Sequence, residues 1–157
     1  ASHHLPLLWR LHRIHHTDID VDVTTELRHH PFEVVLTTGV AAMVVILCGI
    51  PSESVMLYYL LVIPVSMFSH GNWLLPGALD RWLRLLLVTP AMHRVHHSVW
   101  QPETDSNYGV LFSFWDRLFG TYRHSPRAGY AEMPLGLERF RDREAQILHR
   151  LLLNPLE

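Results

Sequence analysis

The sequence predicts an all-α protein in which a membrane helical hairpin carries a histidine-rich helical cap on its cytosolic side. Two observations predict this fold. Residues 34–79 are almost free of charged side chains, and the zones on either side share a histidine-rich motif, LHRIHHT at residues 11–17 and MHRVHHS at residues 92–98. The sequences that flank the two copies do not match, so the motif is not part of a longer structural repeat. We therefore expect the two histidine clusters to face one common object.

The composition excludes several classes of protein. The chain has 13 histidines among 157 residues, yet its formal net charge is only −2, which argues against a basic nucleic-acid binder or an acidic tail. Cys48 is the single cysteine, which excludes a disulfide framework and a cysteine-based zinc ribbon, and its apolar surroundings predict a buried thiol. The length allows one domain, spanning residues 1–157. Because the chain begins at Ala1 without a methionine, we expect its natural N-terminus to lie upstream.

The first predicted membrane helix covers residues 34–50. No side chain in residues 34–52 is charged. An apolar run of about 17 residues, at ~1.5 Å per residue, crosses most of a ~30 Å hydrocarbon core. Pro31 can begin this helix, and the sequence Pro51-Ser52-Glu53 ends it.

The second predicted membrane helix covers residues 55–75, and the two helices together form a hairpin. Pro64 should kink this helix rather than end it, because neighbouring helices satisfy the freed carbonyl. No arginine lies between Arg28 and Arg81, so the positive charges flank the open ends of the hairpin. The positive-inside tendency then places both ends, and the cap formed by residues 80–157, in the cytoplasm. The alternative is a buried helical pair in a soluble protein.

The chemistry is carried by the spacing of the histidines. In each motif the three imidazoles fall at positions i, i+3 and i+4, which lie on one face of a helix. Converging imidazoles fill a core poorly because each has a polar nitrogen that needs a partner, whereas neutral imidazole is the commonest protein ligand of transition metals. The predicted metal ligands from the two motifs are His12, His15, His16, His93, His96 and His97.

More than one metal ion is expected, since a catalytic zinc site uses three protein ligands and six histidines exceed that need. His3 and His70 are the candidates that complete two coordination spheres. His30 could cap a helix, form a hydrogen bond or ligate. Three other histidines show no partner pattern and are predicted to lie outside the site: His29, His124 and His149.

Several other active sites are absent from the sequence. A carboxylate-bridged di-iron bundle requires Glu-x-x-His twice, and only Glu26 and His29 have that spacing. The sequence contains no His-Glu-x-x-His zincin helix, no Gly-x-Ser-x-Gly nucleophile elbow and no Gly-x-Gly-x-x-Gly dinucleotide loop. A redox metal at a membrane face without its own reductant site indicates an oxygen-activating enzyme that receives electrons from a partner protein.

Five motifs occur in order along the chain. They are HRIHHTD at residues 12–18, RHHPFE at residues 28–33, SHGN at residues 69–72, MHRVHHS at residues 92–98 and DSNYGVLFSFWDRLFGTYR at residues 105–123. These motifs resemble those of the fatty acid hydroxylase and sterol desaturase superfamily of integral membrane di-iron proteins. The resemblance implies that histidine boxes bind two iron ions, which activate dioxygen for attack on a lipid carbon–hydrogen bond. It also implies that His3 is the second histidine of the first box.

The sequence departs from the superfamily pattern at two places. The first histidine of the first box would lie upstream of Ala1. Ser66 stands where some members have the first histidine of a further box that ends at His70, and Asn72 or water could fill that gap. Hydroxylating and desaturating members share these boxes, so the resemblance leaves the product open, and we favour hydroxylation over desaturation.

Two segments of the cap complete the prediction. Apolar side chains in residues 110–119 are expected to pack the cap against the membrane interface more than to contact substrate. Asp105, Asn107 and Asp116 could hold ligating imidazoles by their second nitrogen. From Met133 onward, apolar residues recur at helical spacing opposite arginines, which predicts an amphipathic helix.

The sequence therefore predicts an iron-dependent membrane oxidoreductase that uses dioxygen to hydroxylate a fatty acyl chain, a sterol or a carotenoid. Its partners would be the membrane, the lipid substrate and an external electron-donor protein or reductase, with no nucleic acid. Zinc could replace iron in recombinant protein. Two alternatives from other classes stay open: a non-catalytic membrane metal-binding protein and a zinc-dependent membrane hydrolase.

Overall fold

The computed structural model describes residues 1–157, and its regular secondary structure consists of helices. The α-helices are α1 (Pro6–His12), α2 (Pro31–Leu47), α3 (Ser52–Ser69), α4 (Gly77–Leu83), α5 (Pro90–His96), α6 (Gln101–Thr104), α7 (Phe114–Phe119) and α8 (Leu148–Leu153). Three short 3₁₀ turns lie at His15–Thr17, Thr25–Leu27 and Asn154–Leu156. Pairing between extended segments is limited to two isolated bridges. The all-α prediction is confirmed.

The first apolar helix begins and ends at residues suited to those positions. The Nδ1 atom of His30 accepts a hydrogen bond from the Phe32 backbone N–H at 3.1 Å and so caps α2. Pro31 occupies the first turn, where a missing backbone N–H costs nothing. After the helix, Gly49 has φ 62°, a left-handed conformation that glycine adopts without strain. The helix therefore lies slightly earlier in the chain than the predicted residues 34–50.

The second apolar helix ends earlier than predicted. α3 passes through Pro64 without breaking and ends at Ser69, whereas the prediction extended it to residue 75. In the turn that follows, the Trp73 ring packs over Gly71 and leaves no room for a side chain at that position. His70 is thereby placed at the C-terminal cap of α3 rather than within the helix.

Both apolar helices expose nearly all of their side chains. Glu33 is the one buried residue of α2, and α3 buries only Val62, Ser66 and Ser69. Cys48 is exposed, so the prediction of a buried thiol is wrong. α3 is long and apolar enough to cross a membrane, and 17% of that span is buried. Because these helices are mostly exposed, they do not form the core of the chain. Exposed apolar surface of this extent is typical of contact with a membrane or a partner.

The interior is built around α5. Every residue of α5 except Arg94 is buried, and Met92 and Val95 are completely enclosed. Few other apolar side chains are buried, and polar side chains, histidines foremost, occupy most of the interior. An unpaired buried polar group costs about 1–3 kcal/mol, so these side chains need partners. The chain thus encloses a histidine-filled centre in place of a large hydrophobic core.

The C-terminal segment does not form the amphipathic helix predicted from Met133. Residues 133–147 form turns and loops, and α8 is the one α-helix beyond them. Gly136 has φ 96°, which a continuous right-handed helix cannot contain. Met133 packs against Val21, and the Gly136 backbone N–H donates to the His97 carbonyl at 3.0 Å. These contacts hold the segment against the end of α5.

Candidate metal centre

The second histidine motif lies on α5 as the spacing predicts. The Thr89 side chain caps this helix by accepting a hydrogen bond from the Met92 backbone N–H at 3.4 Å. His93 and His96 lie within α5, and His97 forms its C-terminal cap. The three imidazoles therefore project from less than two turns of backbone.

The first motif is not one continuous helix. α1 ends at His12, and His15 and His16 lie in the 3₁₀ turn that follows. The two intervening residues keep right-handed helical backbone angles, with φ −58° at Arg13 and φ −57° at Ile14. The side chains consequently still converge, and the ring centroids of His12 and His16 are 5.1 Å apart.

The eight histidines predicted as ligands meet in two groups of four. The first quartet is His3, His12, His16 and His96. The second quartet is His15, His70, His93 and His97. Within each quartet, one ring nitrogen from every member lies within 4.8 Å of the others. Each motif contributes to both quartets, so the two groups interleave.

The second quartet has the spacing of ligand atoms around one metal ion. The Nε2 atom of His70 lies 3.1 Å from that of His15 and 2.9 Å from that of His93, and the Nε2 atoms of His93 and His97 are 3.2 Å apart. Ligand nitrogens at ~2.1 Å from one ion, at angles between octahedral and tetrahedral values, are about 3.0–3.4 Å apart. Two of the observed distances lie in that range, and the 2.9 Å separation of His70 and His93 lies just below it.

Hydrogen bonds behind two of these rings fix which nitrogen faces inward. His15 Nδ1 donates to the Thr25 carbonyl at 3.1 Å, and His70 Nδ1 donates to the Ser66 carbonyl at 2.8 Å. A carbonyl only accepts, so the ring hydrogen of each neutral imidazole is on Nδ1, and the two bare Nε2 lone pairs face each other. Two facing acceptors repel unless a cation lies near both. Such outward hydrogen bonds are the usual support of metal-binding histidines.

In the first quartet, His16 and His96 are buried, and His3 and His12 are half-buried. His96 Nδ1 donates to the Ser106 carbonyl at 2.8 Å. Both ring nitrogens of His3 and both of His16 are buried without any hydrogen-bond partner. Each such atom costs about 1–3 kcal/mol if nothing satisfies it. The residues of this quartet therefore also fit a metal ion.

Burial keeps six of the quartet imidazoles neutral. Burial lowers the pKa of His96 to about 3 and, reinforced by neighbouring histidines, lowers the pKa of His3 to about 2. Burial, again with the help of neighbouring imidazoles, holds the pKa values of four further members well below their usual range: His15, His16, His93 and His97. The neutral form is the one that binds metals, so it is available at neutral pH.

Sequence reasoning missed two residues beside the first motif. His29, predicted to have no partner, donates from Nδ1 to Glu33 Oε2 at 3.1 Å, and Glu33 Oε1 accepts from His12 Nδ1 at 2.6 Å. Burial opposes protonation of His29, but the hydrogen bond and charge of Glu33 outweigh burial and raise its pKa. The available signal was an acidic residue directly before an uncharged run, a costly place for a carboxylate without a partner.

Another carboxylate lies beside the second quartet. Ser66 Oγ donates to Glu26 Oε2 at 2.6 Å, and that oxygen lies 3.2 Å from His70 Nδ1. Asn72, predicted to fill the gap left by Ser66, instead accepts a hydrogen bond from Arg94 at the surface, at 3.0 Å. Ser66, which stands where the superfamily pattern has a histidine, is therefore hydrogen-bonded to Glu26.

Of the three polar residues expected to hold imidazoles, one lies near a predicted ligand. Asp105 Oδ1 is 3.4 Å from His3 Nδ1. The Asn107 side chain donates to the Met92 carbonyl at 2.9 Å, and Asp116 of α7 accepts the backbone N–H groups of Tyr108 and Gly109. Asn107 and Asp116 therefore brace the loop between α6 and α7, and for them the prediction is wrong.

The remaining histidines lie outside both quartets. His30 caps α2, and its Nε2 lies 3.2 Å from the Leu152 carbonyl oxygen. His124 and His149 are exposed. Of the three roles predicted for His30, the structure places it at the helix cap and in a hydrogen bond.

A cavity of about 880 Å³ opens beside the quartets. Six of the eight histidines line its polar end: His3, His12, His15, His70, His93 and His96. Its apolar wall includes Tyr58 and Val62 of α3 together with Phe112, Trp115 and Phe119. Trp115 and Phe119 also expose apolar surface to the exterior. Residues 110–119 therefore border the cavity as well as the surface at which we predicted contact with the membrane.

The family model described as "Fatty acid hydroxylase" matches residues 1–121, which include all eight of these histidines. The chain belongs to the fatty acid hydroxylase family. The fatty acid hydroxylase family is iron-dependent and membrane-associated, and the two buried quartets are able to bind metal. The superfamily resemblance carried by the five sequence motifs is thereby confirmed.

Several curated relatives of this chain are named after the lipids on which they act. An ornithine lipid hydroxylase, OlsE, of Rhizobium tropici is 30% identical over 128 residues, 81% of this chain and 37% of that protein. Alkylglycerol monooxygenase of Homo sapiens is 25% identical over 77% of this chain and 26% of that protein. A cholesterol 25-hydroxylase-like protein of Danio rerio is 31% identical over 76% of this chain and 47% of that protein. The chain thus spans less than half the length of these relatives, and no solved structure matches it.

Proposed function

We propose that the chain is a membrane oxygenase that hydroxylates a lipid with dioxygen, using two iron ions held by the two quartets. The observation that carries the proposal is the pair of interleaved quartets at the polar end of a cavity with an apolar wall. The names of the relatives, a lipid hydroxylase, a monooxygenase and a hydroxylase-like protein, support hydroxylation. Desaturation of the same substrate is the alternative outcome.

Each quartet would hold one ion. Bound iron supplies the activation of dioxygen that oxidation of a carbon–hydrogen bond requires. The net reaction converts a C–H bond and dioxygen into a C–OH bond and water, and it consumes two electrons and two protons. Those electrons come from an external donor protein or reductase, since the sequence contains no dinucleotide-binding loop.

The chain's own residues would orient the ligands and exclude water. The backbone carbonyls of Thr25, Ser66 and Ser106 hold imidazoles by Nδ1 and so direct Nε2 inward. His16 and His97 are fully buried, so bulk water does not reach these two rings. These contacts fix the geometry of both quartets in advance of substrate binding.

The apolar wall of the cavity suits a lipid chain. Tyr58 and Val62 belong to α3, so the cavity is continuous with a helix that we place in the membrane. A fatty acyl chain, a sterol or a carotenoid could therefore reach the quartets from the bilayer without crossing water. Nucleic acid is not a partner in this proposal, because a net charge of −2 does not favour binding to a phosphate backbone.

We place α2 and α3 in the membrane as a hairpin, with residues 80–157 forming a cytoplasmic cap. A topology reporter inserted at Ser52 should then lie on the opposite side of the membrane from one fused after Glu157. The physical reason is that Ser52 lies at the tip between two apolar helices. The measurement is reporter activity or protease protection in intact cells. Finding both reporters on one side would contradict the hairpin and the proposed position of the centre.

Metal analysis of the purified chain in detergent should give close to two metal ions per chain. Each quartet supplies four imidazoles, which suffices for one ion. Zinc found in recombinant protein is compatible with iron in the native one, since zinc binds such sites more tightly than ferrous iron. His149→Ala, an exposed histidine on α8, is the matched control and should keep the ratio unchanged. A ratio near one contradicts the binuclear proposal.

A further inference from the structure

Glu33 is an unusual residue for its position. It lies in the first turn of α2, an otherwise uncharged apolar helix, and it is the only side chain of that helix that is buried, with 8% of its surface exposed. A buried carboxylate is destabilising by several kcal/mol unless it is paired and hydrogen-bonded. Its partners should therefore indicate what it does.

Both carboxylate oxygens of Glu33 accept hydrogen bonds from histidine rings. Oε1 lies 2.6 Å from His12 Nδ1, and Oε2 lies 3.1 Å from His29 Nδ1. His12 is a member of the first quartet, whereas His29 belongs to neither quartet. One carboxylate thus holds one proposed ligand directly and one ring outside the quartets.

His29 extends this contact to the second quartet. Its ring stacks on that of His15 with a centroid separation of 4.8 Å and an angle of 6° between the ring planes. His15 is a member of the second quartet and is fixed on its other side by the Thr25 carbonyl. Glu33 and His29 together therefore touch both quartets from the same side.

These contacts describe a support and not a third metal site. The 2.6 Å distance between Glu33 Oε1 and His12 Nδ1 is a hydrogen-bond length, whereas neighbouring ligand atoms of one ion are about 3 Å apart or more. The other nitrogen of the His12 ring is left for the first quartet. A third ion would have to displace the hydrogens that hold both rings to the carboxylate.

We propose that Glu33 is a positioning residue that fixes the two quartets relative to each other, acting on His12 directly and on His15 through the stacked ring of His29. The inference rests on the proposed function only for the identity of the bound metals. It also gives α2 a defined attachment, because its one buried side chain joins the start of the membrane helix to the centre.

The substitutions Glu33→Ala and Glu33→Gln separate this role from general packing. Alanine removes both acceptors, so His12 and His29 lose their support together. Glutamine keeps one acceptor oxygen, which can hold His12, while His29 can change tautomer to accept from the amide. Removal of a carboxylate that orients a metal-binding histidine typically weakens metal affinity by about 10–100-fold. We expect that loss for alanine and substantial recovery for glutamine.

The experiment measures metal binding by the purified chain in detergent, without lipid turnover. Cobalt(II) is titrated into the metal-free chain, the affinities are read from the absorption spectrum, and X-ray absorption gives the metal–metal separation. The matched control is Glu53→Ala, the exposed first-turn glutamate of α3, which should leave both readouts unchanged. His29→Phe keeps a ring that can stack on His15 but removes the hydrogen bond, and it should fall between the native chain and Glu33→Ala.

Three results would overturn the proposal. One is native affinity and native metal–metal separation in Glu33→Ala. Another is loss in that variant of a third bound ion while the first two keep their affinity. The last is equal loss in Glu33→Ala and Glu33→Gln with native affinity in His29→Phe, which would indicate a role in folding alone. A chain that binds two ions in a Glu33-dependent way but oxidises no lipid would retain this inference and end the oxygenase proposal.

Discussion

Replacing His97 by alanine should abolish the lipid product, with a fall in turnover of about 100-fold or more. His97 is fully buried and belongs to the second quartet. Oxidation with two ions requires both at a fixed separation, and misplacement by ~1 Å can lower the rate by about 100-fold. The measurement is lipid mass spectrometry after incubation with labelled dioxygen, iron and a reductase system. Hydroxylation places the label in the lipid, whereas desaturation leaves it in water.

The control for this experiment is His149→Ala, which alters an exposed histidine of α8 and should leave the product unchanged. The same loss as for His97 is expected at three other positions of the motifs: His15, His16 and His96. An intact chain that changes no acyl, sterol or carotenoid species, with a His97→Ala variant that differs only in metal content, would favour a metal-handling protein. Release of product without dioxygen would favour a hydrolase.

Asn107→Ala should destabilise the folded chain by about 3–5 kcal/mol. The Asn107 side chain is fully buried and makes three hydrogen bonds, to the Met92 carbonyl at 2.9 Å, to the Arg123 carbonyl at 3.0 Å and from the Arg123 N–H at 2.8 Å. Each lost bond costs about 1 kcal/mol, and more where a buried group is left unsatisfied. The backbone also has φ 51°, which costs alanine about 1 kcal/mol more. Thermal unfolding in detergent should show a midpoint lower by roughly 10 °C.

Asn72→Ala is the matched control, since Asn72 is exposed and its hydrogen bond to Arg94 lies at the surface. Surface substitutions of this kind change stability by about 0.5 kcal/mol or less. Equal midpoints for the two variants would show that the loop between α6 and α7 does not depend on Asn107. A destabilised Asn107→Ala chain should also bind metal more weakly, because Met92 lies beside His93 on α5.

Residue type and spacing were sufficient to predict the histidines that meet in the interior. Positions i, i+3 and i+4 bring three imidazoles together on α-helical and on 3₁₀ backbone alike, so His12, His15 and His16 converge although α1 ends at His12. Their division into quartets could not be predicted. His96 joins the first quartet and its neighbour His97 joins the second, and that choice depends on how the two motifs cross in space.

The failed prediction of a helix from Met133 concerns residues whose partners are distant in the chain. The periodicity after Met133 favours a helix, but burial of Met133 against Val21 and the bond from Gly136 to His97 stabilise an irregular path instead. The Glu33 carboxylate is shared by His29, four residues earlier in the chain, and by His12, and the contact with His12 forms only when α1 and α2 pack together. Local pattern carries no information about such contacts.

Because the two quartets interleave, the metal centre forms late in the assembly of the chain. A chain that has folded only as far as α2 has three imidazoles of the first quartet and one of the second, and neither quartet reaches four until α5 arrives from the far end of the hairpin. The arrival of α5 completes both quartets. A partly inserted chain therefore lacks any complete set of histidines with which to retain an oxidising metal, and competence for oxidation begins only when the two ends of the hairpin have met.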